Sequence, residues 1–170
     1  MASGESIVII LLALHIGFIA VWAGAAAILS SVILPSLGRL SAGTRAEFSL
    51  ATLPLFARFI AITSTGAVVA GILLFGFETR VATAYAPDSL GTAFIGAGAG
   101  LGLIAYILAI GVAYPTSNKI VKLLKQAKAG ENAQGSPEIP RLQTRMRMVA
   151  GAVSGLLAIT LILMVIGATV

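Results

Sequence analysis

The stretch IVIILLALHIGFIAVWAGAAAILSSVIL, residues 7–34, carries no charged side chain from end to end. A hydrocarbon layer roughly 30 Å thick is crossed by about 20 apolar residues in an α-helix. The run therefore reads as a transmembrane helix with a turn or two to spare. It is too long for a signal-peptide core and has no basic flank ahead of it, so it is expected to be retained.

Three more runs of this kind follow, at 53–77, 92–114 and 148–170. None alternates like a strand, and backbone amides in lipid must be satisfied within their own segment, so all four are predicted to be helices. Composition points the same way. With 58% hydrophobic and 10% charged residues and a mean hydropathy of +1.04, the chain lies outside the range of soluble domains. The expected fold is all-α, an integral membrane four-helix bundle making one transmembrane domain over residues 1–170. Cysteine is absent, which excludes disulfides, thiolate metal ligands and a cysteine nucleophile.

Apart from Arg58 in the second run, charge is confined to the connections and the amino-terminal tail. Arg39 and Arg45 precede the second span, while Lys119, Lys122, Lys125, Lys128, Arg141, Arg145 and Arg147 lie between the third and fourth. Basic loops stay in the cytoplasm, so the basic loop 115–147 is placed there, with both termini outside and the cell membrane as location. Glu5, and the loop holding Glu78, Arg80 and Asp88, fall on the other side. The net charge of +5 is read as this topogenic signal, and no nucleic-acid partner is expected. The four lysines recur at every third position after Pro115; a helical extension of the third span would carry them along one side, in solvent or against anionic headgroups. Residues 129–140 are rich in Gly, Pro and polar side chains and read as a loop. Pro54 suits the first turn of the second helix, and Pro35 and Pro115 mark the ends of the first and third.

Two patterns concern helix packing. Pro35-Ser36 with Arg39 parallels Pro115-Thr116 with Lys119, and Pro54 to Arg58 resembles Pro140 to Arg145, as a two-plus-two repeat would require. Small residues recur at i, i+4 spacing in Gly96/Gly100, Gly98/Gly102, Gly151/Gly155 and Ala23/Ala27, the signature of close helix approach within or between chains. The glycine-rich run 96–102 follows no strand, so it is read as packing and not as a dinucleotide loop.

Polar side chains at membrane depth are few, and each is a candidate for function. His15, the single histidine, lies about 12 Å along the first span; neutral imidazole is the form that ligates iron or copper. Trp22 follows two turns later on the same face. The structural alternative for His15 is an interhelical hydrogen bond to a serine or threonine. Heme ligated by two histidines would need a second copy of the chain. Met164, about 9 Å from the end of the fourth span, lies at a similar depth and is the other candidate axial ligand, against its ordinary role as packing. Arg58 either snorkels to the interface or holds a propionate, a quinone oxygen or another anion. Thr63, Ser64, Thr65 and Tyr106 could satisfy carbonyls or line a polar seam. No span holds an acidic residue, which argues against a carboxylate-based proton pump.

Leu14-His15-Ile16, then Trp22-Ala23-Gly24, then Pro35 and Arg39, resemble the opening helix of the CopD and HemJ-like membrane proteins over residues 12–39. The resemblance implies a small multi-helix protein with His15 as a heme b ligand, or as a metal ligand in a copper-handling role. Three classes are carried forward: a heme-binding redox protein, a copper-handling membrane protein, and a structural accessory subunit of a larger complex or homo-oligomer. No His-x-x-x-His pair, Gly-x-Ser-x-Gly elbow or phosphate loop is present, so the reading names no enzymatic activity.

Overall fold

The computed structural model describes residues 2–81, 90–130 and 136–170. Helix α1, Ala2–Ile28, continues through a π-helical segment, Leu29–Ile33, into α2, Leu34–Leu37. Helix α3 is Ala42–Val81. Helix α4, Leu90–Leu108, runs through a second π segment, Ala109–Ala113, into α5, Tyr114–Lys128. Helix α6, Glu138–Thr169, completes four rods, each long and apolar enough to cross a membrane. The described residues contain no strand. Asp88, and the side chains of Glu78 and Arg80, lie outside the described set.

The rods pack as a bundle, α1 along α3 and α4 along α6, with α3 against α5 and α1 against α6. Its interior is made of small residues, among them Ala26, Ser64, Ala67, Ala105 and Ala109, around Trp22 and Leu157. The large aliphatic side chains face outward instead: Ile9 is 66% exposed, Ile72 63% and Ile107 64%. That inside-out distribution belongs to helices whose solvent is lipid, where small residues permit close approach. The chain is an integral membrane protein with a four-helix, all-α bundle.

The rods outrun the membrane. The 40 residues of α3 span roughly 60 Å, about twice a hydrocarbon layer. The surplus lies at the end of the bundle that carries the lysines. There Leu53, Ile120, Leu124, Leu142, Met146 and Ala150 form a second apolar core. The segment 115–147, expected as a basic loop, is thus mostly α5 and the first turns of α6. The reason is amphipathy: Ile120 and Leu124, one turn apart, are buried, while Lys119, Lys122, Lys125 and Lys128 keep to the more open sides of the helix. Helix α5 ends at Gly130, whose φ of 82° is the left-handed stop glycine accepts most readily.

Helix α3 likewise starts at Ala42, well ahead of the expected 53. Ser41 caps it: its Oγ accepts the Thr44 backbone N–H at 3.3 Å and lies 2.9 Å from the Thr44 hydroxyl. Pro54 is consequently inside the helix and not in its first turn.

Pro35 and Pro115 also sit within their rods, each just after a π segment. A proline ring collides with the carbonyl four positions earlier and offers it no N–H. Here those carbonyls belong to Ser31 and Gly111, the middle residues of the two π segments. Widening the turn relieves the collision, and the N–H groups of Leu34 and Tyr114 reach back to the carbonyls of Leu29 and Ala109. The parallel between the two halves thus extends to the backbone, because each π segment ends immediately before the residue that precedes its proline.

Candidate functional site

His15 lies on the inward seam of α1 that continues through Ile19, Trp22, Ala26 and Leu29, all buried, and is itself half-buried. Its Nδ1 lies 2.8 Å from the carbonyl oxygen of Ala67 on α3. A carbonyl can only accept, so Nδ1 carries a proton, and in the neutral imidazole the lone pair is on Nε2. The acceptor is a backbone group, in place of the serine or threonine that sequence reasoning proposed. The ring rests on Gly71, one turn beyond Ala67: a Cβ there would lie 2.6 Å from His15 Cε1. Gly66 makes the same kind of room for Phe18. The signal for this ledge was present in the sequence as two glycines flanking Ala67, but the facing register was not.

The other candidates separate. Trp22 is 2% exposed and its Nε1–H has no partner. It lines a cavity of about 40 Å³ with Leu29, Leu53, Phe56, Ala109 and Met146. That volume admits water and is far too small for a porphyrin. Met164 packs on the α4 side, its Cγ 3.1 Å from where a Gly98 Cβ would be. His15 and Met164 are therefore held by different helix pairs. Arg58 is exposed and lines a second, open groove with Ile62, Thr65, Gly66, Val69 and Tyr114. Its Cα stands roughly 13–14 Å along α3 from that of Ala67 at the usual rise per residue, so it does not converge with His15.

The hydroxyl side chains are mostly spent on the helices. Thr63 donates to the Phe59 carbonyl at 2.9 Å, Ser64 to that of Ala61 at 3.4 Å, and Thr116 to that of Val112 at 2.6 Å. Thr65 pairs with the Tyr106 hydroxyl at 3.2 Å. Thr160, 1% exposed, keeps a hydroxyl with no partner. Among the described residues no three His, Cys, Asp or Glu side chains gather as a metal-binding group.

The glycines divide by face. Gly98 and Gly102 meet Thr160 and Met164 within the chain, and Gly91 crosses Gly167 so closely that a Cβ at Gly91 would lie 2.7 Å from the Gly167 carbonyl oxygen. Gly96, Gly100, Gly151 and Gly155 have nothing within 4 Å of a would-be Cβ. Compared with known proteins, the chain matches no family model, no curated protein and no solved structure.

Proposed function

We propose that this integral membrane protein is a heme-linked redox protein of CopD/HemJ-like character, in which His15 Nε2 would ligate the iron. The observation that carries the reading is the Nδ1–Ala67 contact. A backbone carbonyl that fixes the imidazole tautomer and leaves Nε2 as an unshared lone pair is the outer-shell arrangement of ligating histidines. Heme would supply one-electron chemistry; the chain's part is to orient the ring and surround it with apolar side chains. The small central cavity leaves a macrocycle only the flank of the bundle beside the half-buried ring. Met164 and His15 are engaged by different helices, so any further ligand would come from a second copy of the chain. In the cell membrane both termini lie outside and the lysine-bearing end faces the cytoplasm.

The test is an absorption spectrum, oxidised and reduced, of protein purified from heme-supplied cells beside His15→Ala. A Soret band in the wild type that disappears in the variant is expected. A featureless wild-type spectrum ends the heme reading. Copper handling would need ligands beyond His15, such as methionine thioethers, and copper bound without heme absorbance would favour it. The accessory-subunit reading has its own support in the outward pairs Gly96/Gly100 and Gly151/Gly155, which are open to a partner helix. Loss of co-purifying proteins in Gly100→Leu would favour it.

A further inference from the structure

We infer that the lipid-facing groove beside Arg58 is a binding site for one anionic phospholipid, with Arg58 and Tyr114 holding its phosphate and the apolar wall of α3 holding an acyl chain. The groove, about 510 Å³, is open to the side and lined by Arg58, Ile62, Thr65, Gly66, Val69 and Tyr114. Arg58 stands inside the apolar belt and not beyond it. Leu55, one turn nearer the basic end, is 71% exposed, and Ile62, one turn deeper, is 61% exposed. A guanidinium so placed reaches the headgroup level by snorkelling and gains most from an anionic partner there. The protein supplies none among its described residues, where the single ion pair is Lys119–Glu138.

The order of polarity along the groove selects the occupant. At the basic end a cation and the 40% exposed Tyr114 phenol offer donors. Deeper, Ile62, Gly66 and Val69 follow at helical spacing on one stripe, with Gly66 deepening the wall. The deep hydroxyls, Thr65 and Tyr106, lie 3.2 Å apart and satisfy each other. A molecule with an anionic head at the interface and a tail toward the bilayer centre matches that sequence. Tyr114 directly follows the π segment Ala109–Ala113, so its place on the groove wall depends on that widened turn.

Native mass spectrometry of the intact chain, released from vesicles of mixed phosphatidylcholine and phosphatidylglycerol, reads the preference directly. Wild-type protein should retain one phosphatidylglycerol in excess over phosphatidylcholine. Arg58→Gln should lower that preference about fivefold, the weight of one cation near an anionic surface. Lys122→Gln, on α5 and outside the groove, should leave it unchanged. Equal retention of both lipids by the wild type overturns the proposal without recourse to any variant. An equal loss in Lys122→Gln overturns it too, by assigning the preference to the diffuse charge of the basic end. Displacement of the lipid by inorganic phosphate alone would mark a site for free anions instead.

Discussion

Replacing Gly71 by alanine tests the placement of His15 most directly. The added Cβ would lie 2.6 Å from Cε1 and 2.9 Å from Nδ1 of the imidazole. These are ring atoms on a side chain held at 2.8 Å to the Ala67 carbonyl, so the ring must swing away and give up that bond. A hydrogen bond of this kind contributes about 0.5–1.5 kcal/mol, and overpacking a close contact costs about 1–3 kcal/mol. Relief of one comes through loss of the other, so the expected destabilisation is about 1–3 kcal/mol in total. Reversible unfolding in mixed detergent micelles of the wild type, Gly71→Ala, His15→Ala and the double variant measures it. With His15 already truncated, Gly71→Ala should cost almost nothing, giving a coupling energy of at least about 1 kcal/mol. Strictly additive losses would refute the contact and, with it, the argument that Nδ1 is fixed and Nε2 free.

Three further outcomes follow from the packing. Gly167→Ala should destabilise by about 1–3 kcal/mol in the same unfolding assay, because its Cβ would meet the Gly91 carbonyl oxygen at 2.8 Å and backbone cannot step aside; Gly100→Ala, with open space, should be neutral. Thr160→Val should hold or raise stability by about 1 kcal/mol, since the buried hydroxyl has no partner to lose. Ile120→Ala should cost about 2–5 kcal/mol and speed proteolysis at the basic end, because Ile120 is 1% exposed there; Lys122→Ala should do neither.

The membrane character and the four rods were legible because lipid imposes a length and a polarity that composition alone displays. What lay outside the lipid was harder. In α5 the lysine spacing suggested the helical extension that the structure has, but the apolar residues Ile120 and Leu124 interleaved with the four lysines form a buried face that a reading fixed on charge passes over. Leu142, Met146 and Ala150 carry the same message in the first half of α6, at i, i+4 and i+8. Glycine spacing identified close-packing faces but not their partners: Gly96/Gly100 and Gly98/Gly102 have identical spacing on different sides of one helix. His15 was visible as the lone imidazole in an apolar run, whereas its acceptor, a backbone carbonyl on another helix, has no side-chain signature at all.

The prolines show how one local constraint can shape both candidate sites. Each removes a backbone donor toward the basic end of its rod, where a carbonyl left without a partner is costly. The chain responds both times with a π segment, at Leu29–Ile33 and Ala109–Ala113. Leu29 and Ala109 open these segments and both border the central cavity with Trp22. The widened turn in the third rod also brings Tyr114 to the groove beside Arg58. A straight α-helix in its place would shift Tyr114 by about 100° around the axis, away from its present place on the groove wall. Pro35 and Pro115 therefore do more than terminate spans. They set equivalent breaks in the first and third rods, and the residues around those breaks differ: serines follow Leu29, while Ile110 follows Ala109. In the first rod Ser30 and Ser31 both donate to the Ala27 carbonyl, one turn ahead of the break. In the third, Thr116 donates to the Val112 carbonyl, and Tyr114, the residue after the break, lines the groove beside Arg58. One backbone device, repeated, thus serves packing in one half of the bundle and the Arg58 groove in the other.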